Sequence, residues 1–267
     1  MRSTAEILRG LAATALFAVF GAGALAVAPL MFLLRRPERA QPVVRTLWRL
    51  MARLFVATGL IRIARGNLTA VRGAVIVANH PTLIDVVLIV SLVPRTLYVA
   101  KHALRGNPFL TAIVRATALP DDARLPETAA PYLRAGWNVL VFPEGTRSPQ
   151  GGGLHPLRRG AAQLAIRAGA PVVCVRETLT RRILAKGQRP WDMGARRVVF
   201  SFRMSAPIPP PVAHGSPHAA AVRLTDAIRA QLASTLREPG KRRAGRSGVC
   251  SAAARIDWRC ARFSYSP

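Results

Sequence analysis

From Gly10 to Leu34 the chain runs for 25 residues without a charged side chain, between Arg9 and the pair Arg35 and Arg36. A helix needs about 20 apolar residues to cross a hydrocarbon core roughly 30 Å thick, so this stretch is long enough to span a bilayer. Pro29 near its end is tolerable in such a helix. The stretch is too long for a secretory signal and lacks a clean small-residue cleavage site. Four arginines follow it closely (Arg35, Arg36, Arg39, Arg45), against Arg2 and Arg9 before it. That bias puts the body on the cytoplasmic side of an inner, cytoplasmic membrane. A hairpin, or a helix lying within one leaflet, leaves it on the same side. In Val43–Ile63, Arg45, Arg49 and Arg53 recur every four residues among Trp48, Leu50, Met51, Leu54 and Phe55. Such a segment suits the headgroup boundary as a basic amphipathic helix, or forms a core helix with one solvated face. Residues 1–65 are therefore expected to be transmembrane and interfacial helices.

Beyond residue 66 short apolar runs alternate with helix-length segments. Strands are expected at Ala74–Asn79, Thr96–Ala100, Asn138–Phe142, Pro171–Val175 and Arg197–Met204. Helices are expected at 83–92, 107–115, 127–136, 158–168 and 217–236. Alternation of this kind predicts an α/β layered domain over residues 66–238. Pro207–Pro211 is a stiff connector into the last helix. After Pro239 the text becomes basic and rich in Ser, Gly and Ala, and 239–267 reads as a disordered tail.

Lysine and arginine total 39 against 12 acidic residues, a net charge of +27, and only Lys101, Lys186 and Lys241 are lysines. An arginine-rich, lysine-poor composition fits a GC-rich bacterial source. Physically it draws the protein to anionic surfaces: phospholipid headgroups, nucleic acid or acidic carrier proteins. The tail contributes +6, so most of the charge belongs to the body. Without a reading helix or zinc module, and with an apolar N-terminal span, a nucleic-acid partner is not expected. Cys174, Cys250 and Cys260 form neither a disulfide framework nor a metal-ligand pattern. Cys174 lies in an apolar run and reads as a small core residue. His102 could face a site beside Lys101 or lie on the surface. His155, His214 and His218 fall in loop-like text without ligand spacing, so no metal is expected.

Two constellations carry chemistry. The first is Asn79-His80-Pro81-Thr82-Leu83-Ile84-Asp85, directly after an apolar strand. On a straight helix His80 and Asp85 would point about 140° apart. Pro81, however, biases His80 out of the helical region and favours a helix beginning at Pro81, from which Asp85 can fold back onto the imidazole. A histidine held by a carboxylate has its tautomer fixed and its basicity raised, as a general base requires. The second is Val139–Ser148, a strand running into Phe142-Pro143-Glu144-Gly145-Thr146-Arg147. It displays a carboxylate, a hydroxyl and a phosphate-matching guanidinium around a permissive glycine. Taken alone, the first reads more readily as a helix-capping histidine with a solvated aspartate, and the second as a surface turn with an ion pair.

Together, His-x4-Asp followed by Phe-Pro-Glu-Gly-Thr-Arg resembles the glycerolipid acyltransferase family typified by 1-acyl-sn-glycerol-3-phosphate acyltransferase, over residues 66 to 210. The resemblance implies a mixed sheet flanked by helices, preceded by N-terminal membrane helices. It implies transfer of a fatty acyl group from acyl-carrier protein or coenzyme A thioester to a lysophospholipid hydroxyl at a phospholipid membrane, with no cofactor. His80 would be the base and Asp85 its orienter. Glu144, Gly145, Thr146 and Arg147 would bind the acceptor, and Lys101 would supply a second phosphate-binding cation. The chain has no Gly-x-Ser-x-Gly elbow, which agrees with direct attack by the acceptor. It departs from the family where an acceptor-binding arginine is usual: the text there is Ala116-Thr117-Ala118-Leu119-Pro120-Asp121-Asp122, with Arg115 and Arg124 as nearby substitutes. Acceptors other than lysophosphatidate (a glycolipid, an ornithine-type lipid, a polyene conjugate) therefore stay open, as does a non-catalytic membrane scaffold.

Overall fold

The computed structural model describes residues 3–34, 36–65, 68, 71–210 and 216–234, so the expected disordered tail and His214 lie outside the described residues. The first helix, α1 (Thr4–Ala26), opens on a capping box in which Ser3 Oγ accepts from Glu6 N while Glu6 returns a carboxylate to Ser3 N. The apolar stretch breaks at Val27 and resumes as α2 (Ala28–Leu33), because Pro29 has no N–H to give to the preceding turn. Among the described residues α1 is the one helix long and apolar enough to cross a membrane. It is also seated on the body. A Cβ at Gly10 would lie 2.7 Å from the carbonyl oxygen of Trp191, and one at Gly21 3.4 Å from the Phe109 ring. Phe17 meets Phe55 edge-on at 5.5 Å. Arg9 donates to the carbonyls of Gly59, Leu60, Gly194 and Arg196. The outer side leaves Ile7, Leu8, Leu11 and Val19 exposed.

The next helix, α3 (Pro37–Ala57), is a helix of the body and not one lying at its edge. Val44, Trp48, Met51 and Phe55 follow the i, i+4, i+7, i+11 rhythm of a core stripe and are buried, with Trp48 5.3 Å from Tyr98. The expected helix Val43–Ile63 stops at Ala57, and Ile61–Arg65 is already the first strand, β1. The sheet thus begins inside the segment read from sequence as helical.

In chain order there follow β2 (Val75–Ala78), α4 (Asp85–Leu92), β3 (Thr96–Ala100), a 3-10 turn at His102–Gly106, α5 (Thr111–Thr117), β4 (Ala118–Pro120), α6 (Leu125–Arg134) and β5 (Asn138–Val141). Then come α7 (Gly160–Ala168), β6 (Val172–Leu179), β7 (Val198–Met204) and α8 (Pro217–Ser234). The strands form one mixed sheet in the order β1-β7-β6-β2-β5-β3-β4, parallel throughout except between β6 and β7. Successive strand residues face opposite sides. Ile76, Leu140, Val173 and Val175 join the core on the side of α1 to α5, while Val75, Val77, Val139, Val172 and Cys174 join the core under α6 to α8. Both faces are covered, which explains why the central strands are apolar without interruption.

This topology positions the site. Strands β2 and β5 are parallel neighbours, with Val77 opposite Val141, so the segments that follow them emerge at the same edge. After β2 the chain turns to α4, whose Leu88 and Ile89 belong to one core; after β5 it turns to α7, whose Ala162 and Leu164 belong to the other. Neighbouring parallel strands whose connections leave to opposite faces open a crevice at their carboxyl ends, the usual ligand position in such sheets.

Candidate active site

Both sequence constellations lie in that crevice. His80 Nδ1 is 2.8 Å from Asp85 Oδ2; the histidine side chain is 22% exposed and the aspartate 0%. The helix that carries Asp85 begins at Asp85 itself and not at Pro81, and residues 79–84 form a non-helical turn. That turn is held by the aspartate: Thr82 N donates to Oδ2 at 2.7 Å, and Thr82 Oγ1 donates to Oδ1. Asp85 is thus fixed by three donors before any substrate arrives. With Nδ1 committed to the carboxylate, Nε2 is the ring nitrogen left to carry a lone pair. The ring stacks on Phe142 from the second constellation, centroids 4.3 Å apart.

Glu144 is buried, and its oxygens meet internal donors. Oε1 accepts from His80 N at 3.3 Å and from Ser148 Oγ, and Oε2 accepts from His155 N at 2.9 Å. Ser148 completes a reciprocal clasp, receiving His80 N on its hydroxyl at 3.0 Å and giving its own N–H to His80 O at 2.7 Å. Gly145 sits at φ +62°, the left-handed region where glycine carries no penalty, and a Cβ there would press on the Arg158 guanidinium at 2.9 Å. Thr146 is half-buried in the same turn. Arg147 donates through Nη1 to the carbonyls of Leu184 and Ala185, both at 2.9 Å, so one end of its fork is engaged by the protein.

Lys101 is exposed at the end of β3. Because β3 pairs with β5 in parallel, Lys101 reaches the same edge as His80 but two strands across, about 10 Å away by strand spacing. Arg115 and Arg124 are both exposed; Asp121 lies 3.7 Å from Arg158. Among the described residues no group of His, Cys, Asp and Glu is arranged to hold a metal ion. Cys174 is buried, and burial pushes its thiol up to about 12 from 9.0.

Several residues matter that sequence reasoning left unassigned. Asn79 clips the end of β2 to β6, with Nδ2 donating to Glu177 O and Oδ1 accepting from Glu177 N, at 2.9 and 2.8 Å. Arg182 ties in Ser148 through its carbonyl at 3.0 Å. Thr82 and Ser148 lay inside the recognised stretches, but nothing in their spacing announced what they bond.

A buried carboxylate holding a partly buried histidine at the carboxyl edge of a doubly covered sheet is an α/β arrangement able to move a proton in a crevice. The comparisons with known proteins narrow this. Residues 60–177 match the family model described as Acyltransferase. Over 117 residues the chain is 35% identical to 1-acyl-sn-glycerol-3-phosphate acyltransferase of Escherichia coli K12, covering 39% of this chain and 47% of that one. It is 29% identical over 145 residues to the human alpha enzyme of the same name, 51% of this chain and 50% of that one. The matched stretch therefore spans half or less of these curated relatives. The 1-acyl-sn-glycerophosphate acyltransferase PlsC of Thermotoga maritima has the same fold, with TM-score 0.65, 24% identity, and coverage of 90% of this chain and all of that one. Both constellations lie within the residues that match the Acyltransferase family model.

Proposed function

We propose that the protein transfers a fatty acyl group from the thioester of acyl-carrier protein or coenzyme A to the free hydroxyl of a lysophospholipid, with 1-acyl-sn-glycerol-3-phosphate the first candidate. The observation that carries this reading is the 2.8 Å bond between His80 Nδ1 and the fully buried Asp85. His80 Nε2 takes the proton as the acceptor oxygen attacks the thioester carbonyl, and Asp85 stabilises the imidazolium that forms. The thiolate leaves with the carrier arm and recovers that proton. General base catalysis of this kind is typically worth about 10²–10⁴-fold. Positioning of lipid and carrier supplies further acceleration. The names of the relatives support the acceptor class, and the apolar outer side of α1 supports attachment to a membrane, with Lys101 and the free end of the Arg147 fork available to headgroup phosphate.

A second acceptor is favoured by one observation. Asp121 and Asp122 stand where family members carry an arginine, and Nη1 of Arg147 is spent on backbone carbonyls. A less anionic acceptor, such as a glycolipid, an ornithine-type lipid or a polyene conjugate, fits that balance better than lysophosphatidate. A non-catalytic scaffold is disfavoured by the intact His80–Asp85 pair.

The test is acyl transfer from labelled acyl-carrier protein and acyl-coenzyme A to lysophosphatidate in mixed micelles, wild type against His80→Ala. Product that disappears in the variant supports the reading. No product from either donor rejects lysophosphatidate, and the same assay over the other acceptors then decides between a different lipid and a scaffold.

A further inference from the structure

Glu177 lies towards the carboxyl end of β6 and is 2% exposed. Its main chain is clipped to the strand that carries His80 through the paired bonds to Asn79. Among the described residues no donor reaches either of its carboxyl oxygens, and the charged side chain it lies against is Asp85, itself 0% exposed. The nearby cations point elsewhere. Arg176 precedes Glu177 in the strand and so occupies the opposite face, where it donates to Leu232 O; Arg203 is its cross-strand partner on that same face. Arg182 is turned to Ser148 O. Opposite Glu177 in the register is Phe202.

Two ionised carboxylates cannot face each other in a buried site with no cation between them; one must keep a proton. Geometry decides which. Asp85 Oδ2 accepts from His80 Nδ1 and Thr82 N, and Oδ1 accepts from Thr82 Oγ1, bonds that favour its ionised form. Glu177 has no such donors. The Asp85 carboxylate retains lone-pair capacity for the carboxyl group that lies against it. Burial and the charge of Asp85 both push the Glu177 carboxyl well above the ordinary carboxylate range.

We propose that Glu177 is a positioning residue that keeps its proton at neutral pH and donates it in a hydrogen bond to Asp85, extending the pair to a His80–Asp85–Glu177 chain. Asp85 is then fixed from both sides, and the cluster holds one negative charge, matched to the single positive charge that His80 acquires when Nε2 takes the acceptor proton. Glu177 itself neither gains nor loses a proton in the cycle. This rests on the reading of His80 as the base.

The experiment compares the full-length chain with Glu177→Gln and Glu177→Leu in detergent micelles, by denaturant unfolding from pH 5 to pH 9 and by kcat and KM across the same range. A carboxyl whose folded pKa is raised leaves the unfolded state with fewer protons than the folded one. Wild-type stability therefore falls as pH rises above the unfolded value near 4.5, at up to about tenfold in the folding equilibrium per pH unit. Glu177→Gln removes that slope, so its stability relative to wild type rises between pH 5 and pH 9. It keeps kcat within about threefold at pH 7, because the amide still donates to Asp85, and lacks the alkaline fall in kcat that ionisation of Glu177 brings to the wild type. Glu177→Leu loses kcat about tenfold or more with KM little changed, as expected when a supporting partner of a catalytic group is removed. An unfolded Glu177→Leu leaves the decision to the Gln variant. A pH-independent loss of stability in Glu177→Gln overturns the proposal, since it means the wild-type carboxylate is ionised and paired. The unfolding comparison needs no turnover, so a chain inactive with every acceptor sinks the catalytic reading while the protonation of Glu177 is still decided.

Discussion

Glu144 holds His80 by its backbone: the carboxylate of the second constellation accepts the N–H of the histidine in the first, at 3.3 Å. The same carboxylate binds Ser148 Oγ and His155 N, so its removal takes the acceptor from both, while His80 N keeps only Ser148 Oγ. An unsatisfied buried donor costs about 1–3 kcal/mol. Glu144→Ala is expected to lose roughly 2–4 kcal/mol of stability and to lower kcat with little change in KM, because the histidine is displaced and the acceptor is not. Glu144→Gln keeps one acceptor oxygen and recovers part of both. Denaturant unfolding and steady-state kinetics on the two variants check this.

Asp85→Asn tests the tautomer. The amide can present an N–H to Nδ1, which puts the imidazole proton on Nε2 and removes the base. If His80 is the base proposed above, a loss of about 10²–10⁴ in kcat is expected. Structure should persist, measured by an unchanged circular dichroism spectrum, since the carbonyl oxygen at the Oδ1 position can still accept from Thr82 Oγ1.

Arg9 joins α1 to the body through four backbone carbonyls, those of Gly59, Leu60, Gly194 and Arg196. Hydrogen bonds to a charged group contribute about 1.5–3 kcal/mol each at best, and less where they are open to solvent, as the one to Arg196 O is. Arg9→Ala is expected to cost roughly 2 kcal/mol and to speed proteolytic cleavage near Gly59. Limited proteolysis in micelles reads both.

Cys174 should resist alkylation. Burial raises its thiol from 9.0 to about 12, so almost no thiolate exists at pH 8 in the folded state. Peptide mapping after iodoacetamide treatment should find this cysteine unmodified until denaturant unfolds the domain. The sign of the linkage follows. The raised thiol contributes stability fully present below pH 9, lost as pH climbs towards 12, and Cys174→Ala abolishes that slope.

Much of the fold was legible in the sequence, and the exceptions have physical causes. Thr96–Ala100 is a strand at the expected bounds because its β-rich apolar text is interrupted on both sides. Ile61–Arg65 was hidden because it is five residues long and Arg65 falls on the four-residue spacing of Arg45, Arg49 and Arg53. Ala118–Pro120 is three residues long, too short for any periodicity. The start of α4 moved from Pro81 to Asp85 because the aspartate binds Thr82 N and turns the intervening residues into a loop, an effect of a side chain and not of backbone preference. His80 and Asp85 could be paired from spacing because they share one turn. Glu177 could not, since its neighbour Asp85 comes close only through the pairing of β2 with β6.

The seating of α1 has a consequence for how the molecule is made. Gly10 and Gly21 bring this helix against Trp191 and Phe109, residues synthesised long after it, and Phe17 covers Phe55. This helix is therefore made long before Phe109 and Trp191, and its seat is complete only when they have been added. Trimming the helix away would unroof the domain, baring Phe55 and the packed seam beneath.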